Sequence, residues 1–260
     1  TFSQYMLLWS DAFFSRGSFV SALALNPVLY YYDTTTFHEA DYDVDKVRDS
    51  YPLVSSLLGV DDPDINNLNF IRNVKPSNPF LKKPNVVIIF MESVGLNRMG
   101  MMGNPLNPTP VLDSLSSNGM FFPKFYIPWV STSRSVFTML TGIPDVARRT
   151  SSRNPIVRDQ YSVISQFKGY EKYYMIGGSA SWANISSLVT YNIKDMRLIE
   201  MKDISRPRVD VWGISDLDLF REANTILENR DLSKSPRFMI IQTAGNHRPY
   251  TIPTDNNGFE

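Results

Sequence analysis

The residues of this chain that could do chemistry follow three apolar runs. These runs are rich in β-branched and aromatic residues and predict strands at 85–91, 172–178 and 237–243. The continuous apolar character of the first run is typical of a strand buried on both faces. Glu92 follows the first run, Trp182 and two serines follow the second, and His247 follows the third. Carboxylate and hydroxyl oxygens suit Mg²⁺ or Mn²⁺, and an imidazole widens the choice to Zn²⁺. The chemistry that this set fits is metal-assisted displacement at a phosphorus or sulfur centre by an activated hydroxyl.

The stretch "WVSTSRSVFTMLTG" (129–142) supplies the candidate hydroxyls. Ser131, Thr132 and Ser133 precede an apolar run that closes with Thr-Gly, which predicts a helix over 133–142. One interpretation makes these hydroxyls a helix cap, and the other makes one of them a nucleophile. The two are compatible, because the N–H groups at a helix N-terminus stabilise anions such as a phosphorylated side chain.

Helical segments separate the predicted strands and must position these side chains. The candidates are 109–119, 133–142, 157–169, 182–191 and 214–230. Strands alternating with helices predict an α/β fold with a mainly parallel central sheet covered by helices on both faces. Because functional groups in such sheets lie at the carboxyl ends of the strands, we expect Glu92, Trp182 and His247 at one edge.

The chain divides near residue 80 by composition. Residues 1–80 are predicted to be a helical N-terminal or linker region, and residues 59–84 are rich in Pro, Asn and Asp. Residues 81–260 are predicted to be the catalytic domain. The early apolar stretch contains Asp11 and Arg16, so we interpret it as an amphipathic helix and not as a bilayer span. The first residue is Thr and the last segment is "TDNNGFE", so we expect a piece of a longer protein that is incomplete at its C-terminus.

Two compositional facts exclude other classes of site. The chain has no cysteine, which excludes a disulfide framework, a thiolate zinc site and a cysteine nucleophile. The formal net charge is +0, which gives no general attraction to nucleic acid, and none is expected as a partner.

The stretch "GNPLNPTPVLDSLSSNGMFFPKFY" (103–126) resembles the sulfatase and alkaline phosphatase superfamily. In that superfamily a Thr-Pro-x-Leu-Asp-x-Leu helix is followed by a Gly-x-x-Phe strand. The sulfatase pattern continues with a modified cysteine ten residues before the glycine of a Thr-Gly pair. Counting back from Gly142 gives Thr132, so the formylglycine of sulfatases cannot form here.

Residues 84–253 are more similar to the lipoteichoic acid synthase and phosphoglycerol transferase branch. That branch has Glu-Ser after its first strand, Thr-Ser at the nucleophile, a tryptophan after the middle strand and Asn-His-x-Pro-aromatic near the end. The matching segments here are Glu92-Ser93, Thr132-Ser133, Trp182 and "NHRPY" (246–250). The fold that the resemblance implies is an alkaline phosphatase-like sandwich.

The resemblance implies a role for each matching residue. Thr132 is the expected nucleophile, Glu92 and Thr132 are expected metal ligands, and His247 and Trp182 are expected to bind the phosphoglycerol. From the residues alone, His247 could equally be structural and Trp182 part of the core. Arg134 is a further substrate-binding candidate that could face the anion or pair with a carboxylate.

Two positions depart from the family pattern. The family has an arginine two residues after the tryptophan, whereas this chain has Asn184 at that substrate-binding position. The family also completes its metal site with a downstream Asp-His pair. No such pair occurs between His247 and Glu260, so further Asp and His ligands are expected beyond Glu260.

The implied function is metal-dependent transfer or hydrolysis of a phosphoglycerol-type group on the extracytoplasmic face of a bacterial membrane. The cofactor is one divalent metal, with Mn²⁺ preferred and Mg²⁺ or Zn²⁺ as alternatives. The expected partners are an anionic phospholipid headgroup or other phosphodiester, a glycan or polymer acceptor, and a membrane anchor upstream. Alternatives within the superfamily are a phosphoethanolamine transferase, a sulfatase or a phosphodiesterase, and outside catalysis a phosphate-binding module.

Overall fold

The computed structural model describes residues 42–75, 82–146, 160–229, 235–254 and 256. The described residues before Asn85 belong to one compact unit and those from Asn85 onward to another. The boundary predicted between residues 80 and 81 lies outside the described residues, as does the amphipathic helix predicted at the N-terminus. Both therefore stay predictions.

The first unit contains one helix, α1 (Val44–Leu58). The Asp43 side chain caps its start by accepting from the backbone N–H groups of Asp45 and Lys46, and Gly59 ends it with a φ of +64°. The buried Tyr51 hydroxyl accepts from the Asp64 N–H at 2.8 Å and donates to the Asn69 carbonyl. One tyrosine thus ties the irregular segment after α1 back to the helix.

The second unit contains a four-stranded parallel sheet and a separate two-stranded antiparallel pair. Its strands are β1 (Val86–Phe90), β2 (Glu171–Ile176), β3 (Met196–Ile199), β4 (Arg208–Asp210), β5 (Gly213–Ile214) and β6 (Arg237–Gln242). The parallel sheet has the order β1-β6-β2-β3, and β4 pairs with β5. Strands β2 and β6 are central, and nearly all of their residues are buried.

In the described part of this unit, four helices connect the strands: α2 (Pro110–Ser117), α3 (Thr132–Thr141), α4 (Ile185–Asn192) and α5 (Asp216–Glu228). Short 3₁₀ turns lie at Leu96–Arg98, Gly100–Met102, Val163–Gln166, Trp182–Asn184 and Met201–Asp203. Within the described ranges, no helix combines the length and apolar character that crossing a bilayer requires.

Helices cover both faces of the sheet. On one face, Leu140 of α3 and Leu188 of α4 pack with Tyr174 and Phe238. On the other, Leu219 and Ala223 of α5 pack with strand residues including Met239. The parallel sheet between these layers confirms the α/β fold predicted from the sequence.

Two sequence predictions about these elements were wrong in detail. The first apolar run was expected to be buried on both faces, but Val87 and Ile89 of β1 are 41% and 50% exposed. β1 lies at the sheet edge, and in the described part of the chain its side chains pack only on the α3 and α4 face. The helix predicted at 157–169 is, where described, only the 3₁₀ turn Val163–Gln166, because Ser162 before it is extended and Phe167 after it leaves the helical conformation.

Candidate active site

The carboxyl ends of β1 and β6 are joined by a pair of hydrogen bonds. The Thr243 N–H donates to the Phe90 carbonyl at 3.0 Å, and the Glu92 N–H donates to the Thr243 hydroxyl at 2.9 Å. The Asn246 side-chain amide donates to the carbonyls of Glu92 and Ser93 at 3.3 and 3.0 Å. These bonds fix the segment carrying Glu92 against the segment carrying His247.

Glu92 lies beside the candidate nucleophile. The Thr132 hydroxyl donates to Glu92 Oε2 at 2.8 Å, and the Ser93 hydroxyl donates to Oε1 at 2.7 Å. Thr132 is the first residue of α3, after an extended Ser131. The sequence placed hydroxyls at a helix start, and the fold brings one of them to a carboxylate that lies 40 positions earlier in the chain.

Trp182 and His247 complete this group around two adjoining cavities. A small cavity of about 60 Å³ and an open groove of about 610 Å³ are both lined by Glu92, Thr132, Trp182 and His247. Among the described residues, no acceptor reaches the buried indole N–H of Trp182. A buried donor without a partner is costly and calls for an explanation such as a bound ligand.

Arg134 and Asn184, the other two predicted substrate-binding residues, do not line either of these cavities as described. Arg134 is buried and donates to the Asp145 carbonyl and carboxylate at 3.2 and 3.4 Å, while its guanidinium lies over Trp129. This contact favours the ion-pair interpretation. Asn184 is partly buried just before α4, with a φ of +60°.

Asp216 contacts the turn that leads to His247, although the sequence did not single it out. Its carboxylate accepts from the N–H groups of Ala244 and Gly245 at 2.9 and 3.1 Å. Burial raises the pKa of Asp216 above its ordinary 3.8, the charges of Glu92 and Asp210 add to the rise, and the two backbone hydrogen bonds oppose it. In the sequence it is simply an acidic residue near a predicted helix start, which gives no signal for a site.

Trp212 was also missed. It lines the small cavity, and its ring centroid lies 3.6 Å from that of His247 and 6.2 Å from that of Trp182. Its one sequence signal is an aromatic residue directly before Gly213, which alone does not indicate a site. The fold places the Trp212 ring in contact with the rings of Trp182 and His247.

The donor set fits a divalent metal only in part. Glu92 and Thr132 provide two oxygens that face one another, and such oxygens suit Mg²⁺ or Mn²⁺. No cluster of three or more Asp, Glu or His side chains that could hold a metal occurs in the ranges that the structure describes. Structural zinc sites use about four protein ligands and catalytic ones about three, so Glu92 and Thr132 alone are too few to hold such an ion.

The sequence and the fold are both similar to known proteins. The sulfatase family model matches residues 84–258. N-acetylgalactosamine-6-sulfatase of Rattus norvegicus is 35% identical over 81 residues, which cover 30% of this chain and 15% of that protein. Lipoteichoic acid synthase of Staphylococcus aureus is 26% identical over 180 residues, which cover 66% of this chain and 27% of that protein.

A crystal structure of a protein in the alkaline phosphatase superfamily from Vibrio parahaemolyticus has a similar fold. It matches with a TM-score of 0.70 and 28% sequence identity, over 82% of this chain and 52% of that one. The chain therefore spans at most about half the length of these relatives.

Proposed function

This chain belongs to the sulfatase family, and from that premise we propose that it transfers a phosphoglycerol-type group with Thr132 as the nucleophile. The observation that carries the proposal is the hydrogen bond of 2.8 Å from the Thr132 hydroxyl to Glu92, at the edge of both cavities. A nucleophile in contact with a proton acceptor is the arrangement that covalent catalysis requires.

The absence of a cysteine nucleophile and the extent of the matches to relatives favour phosphoryl over sulfuryl transfer. The position of the sulfatase cysteine is occupied by Thr132, and the chain has no cysteine. The match to lipoteichoic acid synthase also covers more of this chain than the match to N-acetylgalactosamine-6-sulfatase, 66% against 30%.

The proposed reaction has two displacements at phosphorus. Thr132 Oγ1 forms a bond to the phosphorus of a phosphatidylglycerol-like donor, and the bond from phosphorus to the diacylglycerol oxygen breaks. The Thr132 proton passes to Glu92, and the leaving diacylglycerol oxygen takes up a proton from solvent. An acceptor hydroxyl then forms a bond to the phosphorus of glycerophospho-Thr132 and gives its proton to solvent. The bond from phosphorus to Thr132 Oγ1 breaks, and the threonine oxygen regains the proton from Glu92.

The position of Thr132 at the start of α3 favours its reaction. The N–H groups of the first helical turn favour negative charge, which develops on the phosphoryl oxygens during both displacements. A divalent metal bound by Glu92 and Thr132 would favour the deprotonated hydroxyl. We propose Mn²⁺ as that metal, with further Asp and His ligands from beyond Glu260.

His247 and Trp182 are proposed to position the phosphoglycerol. His247 Nδ1 lies 3.1 Å from the Arg248 carbonyl, and because a carbonyl only accepts, Nδ1 is the donor in this contact. The nitrogen left for the substrate phosphate is then Nε2. The indole N–H of Trp182, which no acceptor among the described residues reaches, can donate to a substrate oxygen. We assign Arg134 to the Asp145 ion pair and give it no substrate contact.

The wider setting of the reaction follows from the same proposal. A phosphatidylglycerol-like donor places the site at a membrane surface, and we propose an extracytoplasmic location with an anchor upstream. The acceptor is proposed to be a glycan or a growing polymer.

The test is intact-mass analysis of the full-length protein after incubation with phosphatidylglycerol and Mn²⁺. We expect a glycerophospho adduct on the peptide that contains Thr132, with release of diacylglycerol. Thr132→Ala is expected to abolish the adduct, while Thr132→Ser, which keeps a hydroxyl, retains some of it. An adduct of unchanged mass and yield in Thr132→Ala would refute the assignment.

A non-catalytic phosphate-binding module is the second candidate. The observation that favours it is that the described residues supply only two metal donors. Parallel incubations with phosphatidylethanolamine and an aryl sulfate separate the remaining superfamily activities. Saturable binding of glycerol phosphate without turnover of any donor would establish the binding module instead.

A further inference from the structure

We propose that Trp212 and Asp216 are positioning residues that hold His247 in one orientation and one tautomer for the transfer reaction. The proposal rests on the phosphate-binding role proposed above for His247. It concerns the segment 212–216, which runs from the turn before β5 into the first residue of α5 and is called the clamp segment below.

The first contact of the clamp segment is made by the Trp212 ring. It lies over the His247 imidazole with 3.6 Å between centroids and 38° between planes. The indole N–H donates to the Arg248 carbonyl at 2.5 Å, and that same carbonyl lies 3.1 Å from His247 Nδ1. The Arg248 carbonyl oxygen therefore accepts from both the Trp212 indole N–H and His247 Nδ1. This keeps the His247 proton on Nδ1 and leaves Nε2 for the substrate.

The second contact is made by Asp216. Its carboxylate accepts from consecutive backbone N–H groups, those of Ala244 and Gly245, and so fixes the turn that leads from β6 to His247. The fit is close, because a Cβ atom at Gly245 would lie 2.6 Å from Asp216 Oδ2. Neither Asp216 nor Trp212 needs to touch the substrate to act in this way.

The clamp segment is itself held rigidly against the end of β2. A Cβ atom at Gly213 would lie 1.9 Å from the Gly177 carbonyl oxygen, and one at Gly178 would lie 2.4 Å from the Trp212 carbonyl oxygen. The Ile214 N–H also donates to the Gly177 carbonyl at 3.0 Å. The central strands β2 and β6 are thus linked at their carboxyl ends through Trp212 and Asp216.

The number of histidines allows a direct test that does not depend on activity. The 260-residue chain has only two, His38 and His247, so His38→Gln leaves a single imidazole to observe by NMR in that chain. In that protein we expect a protonated Nδ1 and an unprotonated Nε2 in the neutral ring. We also expect carbon-bound ring protons shifted upfield by the stacked indole.

Three variants then separate the contributions of Trp212 and Asp216 within the clamp segment. Trp212→Leu is expected to remove the upfield shift and the tautomer preference, and Trp212→Phe to keep part of the shift while losing the N–H bond to Arg248. Asp216→Ala is expected to broaden or move the His247 signals. The matched control is Asp218→Asn on the same helix, whose carboxylate contacts Arg206 and accepts a hydrogen bond from Arg221. This variant should leave the His247 signals in place.

Activity supplies the second measurement, on full-length protein. If a fixed imidazole is needed for reaction geometry, Trp212→Leu and Asp216→Ala should each lower kcat about 10- to 100-fold, the range typical of lost orienting partners. Absence of transferase activity in the unsubstituted protein refutes the proposed function, but the NMR result still decides the geometry. The positioning proposal is overturned if the unsubstituted ring shows the Nε2–H tautomer, or if Trp212→Leu changes neither the shift nor the tautomer.

Discussion

Glu92 is the residue on which both proposed tasks of the site depend. One of its carboxylate oxygens accepts from Thr132 and the other from Ser93, at 2.8 and 2.7 Å. Glu92→Gln keeps the size of the side chain but removes its charge and most of its basicity. Because general-base assistance contributes about 10²- to 10⁴-fold, we expect adduct formation on Thr132 to slow by about 100-fold or more.

The control for this change is Ser93→Ala, which removes only the hydrogen bond to the other oxygen of Glu92. A loss of no more than a few-fold is expected for that variant. The measurement for both is the time course of diacylglycerol release. Comparable rates for Glu92→Gln and the unsubstituted protein would remove Glu92 from the reaction.

Asp216 gives a prediction about pH and stability. Burial raises its pKa in the folded state above the ordinary 3.8. Between the ordinary pKa of the unfolded state and the raised pKa of the folded state, the folded state binds more protons than the unfolded state. The contribution of Asp216 to stability therefore falls as pH rises from the first value to the second. Asp216→Asn cannot titrate and should not show this fall.

The measurement is urea unfolding of both proteins at a series of pH values above 3.8, without added metal. The free energy of unfolding of Asp216→Asn minus that of the unsubstituted protein should increase with pH and then become constant. A difference that stays flat, or that decreases with pH, would contradict the raised pKa.

At the scale of elements, sequence patterns identified the long, buried strands and missed the short ones. Strands β2 and β6 have six residues each, four of which form a continuous run of apolar or aromatic residues, so their patterns were clear. Strands β4 and β5 have three and two residues, which is too short for any periodicity to show.

This difference in length explains which site residues were predicted. Glu92, Trp182 and His247 follow predicted strands, and the family resemblance supplied Thr132. Trp212 and Asp216 flank β5, a strand whose place against β2 depends on contacts between distant parts of the chain. No local sequence signal carries that information.

Because β5 approaches the end of β2 closely, adding one methyl group at Gly213 should lower the free energy of unfolding unusually strongly. Gly213 has a φ of +131°, and a Cβ atom there would lie 1.9 Å from the Gly177 carbonyl oxygen. We expect Gly213→Ala to lower the free energy of unfolding by more than about 3 kcal/mol, because the backbone itself must move.

Gly103→Ala is the matched control in urea unfolding. Gly103 also has a positive φ, +93°, but nothing lies within 4 Å of its added Cβ atom. The left-handed backbone alone is expected to cost about 1–2 kcal/mol. Equal losses of stability in the two variants would show that the approach of β5 to β2 is looser than described.

At the scale of the whole molecule, the predicted resemblance to the sulfatase and alkaline phosphatase superfamily, with lipoteichoic acid synthase among the relatives, is confirmed by the family model and by the relatives. The described residues bring together a candidate nucleophile, a carboxylate and a phosphate-binding candidate at one sheet edge. They supply two candidate metal donors, Glu92 and Thr132, where a catalytic zinc site uses three protein ligands. The candidate reacting groups are therefore in place while the candidate metal ligands are too few.

This shortage of ligands predicts how the 260-residue chain and the full-length protein bind Mn²⁺ in calorimetry. Because affinity rises with the number of properly placed ligands, we expect the full-length protein to bind Mn²⁺ at least about 100-fold more tightly. Glu92→Ala should abolish tight binding in the full-length protein, since it removes the carboxylate beside Thr132. Equal, tight binding by both proteins would mean that this chain assembles the site alone, and the search for the missing ligands would return to residues 1–260.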